Sequence, residues 1–322
     1  MHNPTDIYIL NVGAGSCVVI DHPSGRRSMI DINNGRELRA FERQALLAEG
    51  LSSRLSALEA ELVNPVEWYR ERFGDSIFRF LLSHPDSDHM AGLRCLLQRD
   101  DIGIVNFWDL PHNRFHEDAD EFQTVEAYLD WALYELMRRD RPYKDLIWPK
   151  VLQPERGDSL DYWHQDGIDI LSPSHTEVAY WDARQDWNNM SFVLRVRHAG
   201  RTVMIPGDVE QPGWDAMAAA CNDISADVLV ASHHGRKSGY PENGVMQLIG
   251  PSAVVVSSDK LPREHDATDR YRNATGGSVY STRSEGTLQI RIWADGRLDI
   301  CRDSDKAVLL TLGSLPNWYR AA

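Results

Sequence analysis

The chain has 322 residues, enough to bury a substantial core as one large domain or as a domain with insertions. It is acidic, with 48 Asp and Glu against 34 Lys and Arg and a formal charge of −14, which repels polyanions at long range and disfavours indiscriminate nucleic-acid binding while leaving room for a local basic track. No apolar run approaches the ~20 residues that span a bilayer, and the N-terminus lacks a basic-then-apolar leader pattern, so a cytoplasmic protein without membrane contact is expected. The four cysteines (Cys17, Cys95, Cys221, Cys301) are scattered with no Cys-x-x-Cys pair. They read as reduced core thiols, so any metal site must depend on His and Asp.

In chain order, the first thirty-odd residues alternate like a β-meander, with His22-Pro23-Ser24-Gly25 as a turn. From Glu37 to Arg72 the pattern becomes helical: Leu38, Phe41, Ala45, Leu55, Leu58 and Leu62 recur at three- and four-residue steps, and Pro65 breaks or restarts the run. The apolar run Ile77–Ser83 then delivers His84-Pro85-Asp86-Ser87-Asp88-His89, ahead of a helix-like start at Met90-Ala91-Gly92-Leu93. Two imidazoles and two carboxylates in six residues bind divalent metals without thiolates, and carboxylates this close repel one another unless a cation lies between them. The competing reading is a polar turn that caps the next helix. A second helical stretch, about Asp120–Arg139, is rich in Phe122, Tyr128, Leu129, Trp131, Leu133 and Leu136. It reads as a core or surface helix, or as a cover or partner surface for the site. His112 and His116, spaced i, i+4, read as surface residues.

Short strands return at Ile168–Leu171, Ser191–Val196, Ala253–Ser257 and Leu288–Trp293. Thr202–Ile205 delivers Pro206-Gly207-Asp208, and Asp227–Ala231 delivers Ser232-His233-His234-Gly235. Functional residues at the carboxyl ends of buried strands are how layered α/β sheets build sites, and three such segments favour one shared metal centre over three ordinary polar turns.

These residues resemble the metallo-β-lactamase-fold hydrolases, in particular the branch holding the hydrolase domain of the ComEC competence proteins and the phosphorylcholine esterases. Asn11–Ser16 with Val18–Asp21 resembles that branch's opening hairpin, and Ser28-Met29-Ile30-Asp31 its second strand. His84–His89, Asn188–Ser191, Gly207–Glu210 and His233–Ser238 follow in its order. The superfamily's loop usually reads His-x-His-x-Asp-His; here Asp86 stands at the second histidine, as it does in the branch. The resemblance implies a four-layer αββα metallo-β-lactamase sandwich, an α/β fold, as one domain over 1–322 with helical insertions at about 36–75 and 112–145.

By the same match, Asp88, His89 and His234 would hold one divalent ion, His84 and Asp86 a second, and Asp208 would bridge both. Asn188 stands where another ligand or a supporting amide would be, and Asp31 reads as an anchor of the metal loop. A hydroxide between two cations is nucleophilic at neutral pH. Three carboxylates among six ligands favour manganese or magnesium, with zinc the alternative. Asp88, Asp208, His233 and Lys237 are the catalytic candidates. His233 suits a phosphate contact or leaving-group protonation, or else merely supports its neighbour. Lys237 matches a lysine that would hold a phosphate as a point charge, against a solvated loop lysine. The expected function is a phosphodiesterase or nuclease-like hydrolase. The alternatives are a hydrolase of a lactone, thioester or lactam, and a partner-binding module that docks through the inserted helices. The substrate is accordingly a phosphodiester or a small molecule, with Arg236, Lys237 and Arg263 as the local basic strip that a nucleic acid would need.

Overall fold

The computed structural model describes residues 3–34, 44, 46–54, 61–116, 119–158, 160–258 and 261–316. Strands β1 (Thr5–Ile9), β2 (Val18–Asp21) and β3 (Arg27–Ile30) form an antiparallel meander. The turn at residues 22–25 joins β2 to β3. β4 (Ile77–Leu81), β5 (Ile104–Trp108) and β6 (Lys150–Leu152) then add in parallel. The second sheet repeats the plan. β7 (Ile168–Ser172), β8 (Val193–His198) and β9 (Arg201–Ile205) run antiparallel, and β10 (Val228–Val230), β11 (Ala253–Val256) and β12 (Val279–Ser281) follow in parallel. Finally β13 (Leu288–Ile292), β14 (Leu298–Arg302) and β15 (Val308–Leu312) return to the first sheet, β13 pairing with β1. The sheet orders are β15-β14-β13-β1-β2-β3-β4-β5-β6 and β12-β11-β10-β9-β8-β7.

Side chains alternate across each strand, and both faces are covered. Ile7, Ile9, Val18 and Ile20 face Val203, Ile205, Val228, Val230 and Val255 in the core between the sheets. The intervening Tyr8 and Val19 meet Tyr69, Leu93, Trp131 and Tyr134 on the outside of the first sheet. Met204, Leu229 and Val254 meet Trp214, Met217, Ile249 and Tyr271 on the outside of the second. These three cores define a four-layer αββα sandwich. Burial on both faces explains why β10 and β11 are continuous apolar runs.

Leu38, Phe41, Ala45, Leu55 and Leu58 of the first predicted helical stretch lie outside the described residues. Pro65 proves to be a start, within α1 (Pro65–Arg72), whose first turn is capped by the Asn64 side chain. The second stretch is α4 (Val125–Arg138), capped by Thr124. It is a packing helix: Trp131, Tyr134 and Met137 are buried on the first sheet. Two sequence expectations are corrected here. His112 is buried, its ring stacked on Tyr134, because Nε2 donates to the Tyr134 hydroxyl at 2.8 Å. Of the cysteines only Cys17 is buried in the core, and Cys95 is exposed. Among the described residues no helix is long and apolar enough to cross a membrane.

Candidate metal centre

Because β3, β4, β9, β10 and β11 run the same way within their sheets, their carboxyl ends can deliver Asp31, His84–His89, Asp208, His233-His234 and Ser257 to one edge of the sandwich. The strand-to-turn transitions are tight. Gly207 takes φ 57°, and a Cβ there would meet the Ser191 and Ser83 side chains at 3.0–3.1 Å. Asp31, His233 and His234 adopt positive φ without being glycine, at 58, 50 and 55°. Such backbone costs roughly 1–2 kcal/mol per residue and concentrates where side chains are aimed for function. The metal loop itself forms a single helical turn, α2 (Ser87–Met90), followed across Gly92 by α3 (Leu93–Leu97). Asp130 of α4 accepts from the Gly92 and Arg94 amides at 2.9 and 2.7 Å, so that helix steadies the residues just past the loop.

Among the described residues, two groups of three side chains present ligand atoms within 4.8 Å of one another: His84, His89 and Asp208, and Asp88, His89 and His234. His89 therefore belongs to both. Asp208 lies between the groups, its carboxylate 3.3 Å from His89 Nε2 and 3.4 Å from His234 Nε2. Asp88 is 3.5 Å from His234 Nε2 and 4.0 Å from His89 Nε2.

The far side of each ring is already committed. His89 Nδ1 donates to Asp31 at 2.8 Å, and His234 Nδ1 donates to the Ser257 carbonyl at 3.3 Å. His84 Nδ1 lies 3.1 Å from Ser83 Oγ, which itself donates to Asp31 at 2.8 Å. With those bonds made, the Nε2 lone pairs of neutral imidazoles face inward. His89 Nε2 and His234 Nε2 stand 3.2 Å apart, and His84 Nε2 is buried without a hydrogen-bond partner. Imidazole lone pairs turned on one another and on carboxylates are what divalent ions satisfy, so the residues fit such ions.

The electrostatics agree. Burial opposes charge on every member, but the ring nitrogens of His234 and His89 hold the Asp208 carboxyl well below its usual range, and His234 does the same for Asp88. Reciprocally, burial is outweighed by Asp208 and Asp31 at His89, which is held well above its ordinary value, and by Asp208 and Asp88 at His234, held up at about 9. The carboxylates demand positive charge, which bound cations would supply in place of those protons.

Not every candidate joins the cluster. Asp86 lies in neither three-residue group: one oxygen is 3.5 Å from His84 Nε2, and the other is paired with Arg114. Asn188 is turned to Glu210, whose carboxyl is lowered chiefly by His233, against burial, with Ser238 and Asn188 adding to it. The neighbouring Asn189 does the local bracing, its Oδ1 accepting from the Glu210 and Gly213 amides. Lys237 donates Nζ to the Arg263 carbonyl at 3.1 Å. His233 faces Asp208, its Nε2 at 3.7 Å, and Nδ1 is 3.0 Å from Glu210 Oε1. Sequence reading missed Ser83, Glu210 and Arg114. The first two lie within segments already singled out, Ser83 at the end of the run Ile77–Ser83 and Glu210 at the end of Gly207–Glu210, whereas nothing about Arg114 in sequence marks it. A polar groove of about 860 Å³ at the opposite ends of the second sheet's strands (Asp169, Arg197, Asp227) carries acids already paired with arginine.

A four-layer αββα sandwich with His and Asp side chains gathered at its strand ends is the metallo-β-lactamase fold. No family model matches the chain. In sequence it is similar to ComE operon protein 3 of Bacillus subtilis (26% identity over 214 residues, 66% of this chain and 24% of that protein). It is also similar to competence protein ComA of Neisseria gonorrhoeae (27% over 155 residues, 46% of this chain and 21% of that protein). Recombination protein 2 of Haemophilus influenzae is 25% identical over 239 residues, 72% of this chain and 24% of that protein. The chain thus has the metallo-β-lactamase fold and is similar in sequence to these competence and recombination proteins, spanning about a quarter of their length. A solved Thermotoga maritima structure assigned to the metallo-β-lactamase superfamily aligns over 85% of this chain and 98% of its own, with 9% identity and a TM-score of 0.37.

Proposed function

We propose that the chain is a metal-dependent hydrolase of phosphodiesters. The observation that carries this reading is the inward convergence of the His84, His89 and His234 rings on Asp208, with the outer nitrogen of each ring already taken. Asp88, His89, His234 and Asp208 would hold one divalent ion, and His84 with Asp208, joined by Asp86, a second; manganese suits the carboxylate share and zinc the histidines. Such ions, when bound, lower the pKa of water and neutralise charge on a transferring group.

The chain's own residues do the rest. Asp31 and Ser83 fix the ring planes of His89 and His84, and Ser257 that of His234. His233 is held at Nδ1 by Glu210, which leaves Nε2, beside Asp208, to carry a proton to a leaving oxygen. The preference for phosphodiesters over acyl or ring substrates draws on that imidazole and on relatives named for competence and recombination. The −14 charge means that a nucleic-acid substrate would have to be bound through local cations.

The test is activity on single-stranded DNA, duplex DNA, bis-p-nitrophenyl phosphate and lactones, each with manganese or zinc. Phosphodiester cleavage that depends on metal and falls in turnover number with His233→Ala is expected. Lactone hydrolysis without phosphodiester cleavage under either metal would replace this reading with acyl hydrolysis.

A further inference from the structure

A cation from outside the matched motifs reaches the metal loop. Arg114, on the connection between β5 and α4, donates Nη1 to the Pro85 carbonyl at 2.9 Å and pairs with the Asp86 carboxylate. The guanidinium carbon lies 5.9 and 5.7 Å from the Trp131 and Trp187 ring centres, so two indoles help fix where the fork sits. Trp131 is buried and in turn anchored on the first sheet. Among the described residues Nε and Nη2 make no hydrogen bond, and 21% of the side chain stays open to solvent. Through Asp86, whose other oxygen is 3.5 Å from His84 Nε2, the fork stands one carboxylate away from the converging imidazoles.

We propose that Arg114 is the anchor for an anionic phosphate group of the substrate, offering its Nε–Nη2 edge while Nη1 stays on the loop. A planar fork presenting two parallel N–H groups matches two phosphate oxygens, and a guanidinium keeps its charge at every working pH. Lys237 is a poorer anchor because its ammonium is a point charge without a planar fork, and one of its three N–H donors is on the Arg263 carbonyl. The choice of phosphate as ligand rests on the hydrolase reading above, but binding can be measured without turnover.

Titration calorimetry with inorganic phosphate, on the full chain with and without manganese, tests the assignment. Arg114→Ala is expected to weaken phosphate roughly ten-fold or more in both states, at an unchanged manganese content measured by mass spectrometry. Arg114→Lys should fall between, keeping the charge and losing the fork. In the metal-free protein Asp86→Asn should tighten phosphate, since it removes the internal competitor for Arg114. Native phosphate affinity in Arg114→Ala, or no phosphate binding by the unsubstituted chain in either state, overturns the proposal. So does a loss that appears only together with lost manganese, which would make Arg114 a support for Asp86 alone. A chain that binds no manganese yet binds phosphate through Arg114 would sink the hydrolase reading and leave this one standing.

Discussion

Asp208 touches His89, His234 and His233 at 3.3, 3.4 and 3.7 Å, more of the cluster than any other carboxylate reaches among the described residues. If it bridges two cations it sets their separation, so Asp208→Ala should lower turnover by several powers of ten with the fold intact by circular dichroism. Near-normal activity with metal still bound would show that the bridge is elsewhere. Asp31 acts one step further out, through His89 Nδ1 and the Ser83 amide and hydroxyl. Groups in that position typically contribute 10–100-fold to metal affinity. Asp31→Asn should weaken manganese by about that factor, and a titration curve matching the unsubstituted protein would remove Asp31 from the account. Lys237→Ala is expected to raise KM for anionic substrates less than Arg114→Ala does, since an ammonium offers phosphate a point charge and no planar fork.

At the scale of elements, the opening hairpin is a support for the metal loop. A Cβ on Gly15 would meet the Asp88 carbonyl at 2.5 Å and Asn33 at 2.5–2.6 Å, and the Ser16 amide donates to that same carbonyl at 3.3 Å. Gly15→Ala should therefore push the loop out of place, lowering both melting temperature and metal affinity. A variant that keeps both would mean the loop is held without this hairpin.

The turns carry their own pH signature. Burial, with Arg79 and Arg26 adding to it, depresses His22 to about 3 against Asp166; burial with Arg138 and Arg114 depresses His112 to about 2. Each ring folds neutral, whereas the unfolded chain protonates near 6.5, so their stabilisation is full above that value and is lost as pH falls below it. For His22 the loss between pH 7 and 5 is of order 2 kcal/mol. Urea unfolding of His22→Gln should start from a lower stability and lose less over that interval; parallel losses would refute the assignment.

Strands and the polar residues gathered at their ends were legible because apolar runs that end in His, Asp and Gly are local signals. β9 and β13 lie within a residue of their sequence reading. Arg114, Asp130 and buried His112 were not legible, because their roles depend on partners 22 to 38 residues away, brought in by tertiary packing.

For the whole molecule, the repeated plan of meander and parallel strands in each sheet matters because it brings five strand ends to one edge. The long connections before β4 and after β5 serve the same edge. The described part of the first contributes α1, and the second contributes α4 and Arg114, which brace and charge the rim of the centre. Metal binding at this edge is measured most directly as metal content per chain after reconstitution with manganese or zinc, by mass spectrometry, alongside Asp208→Ala. The expected result is about two ions per chain for the natural sequence and fewer for the variant. A natural chain that binds no ion even in excess manganese and zinc would contradict the account.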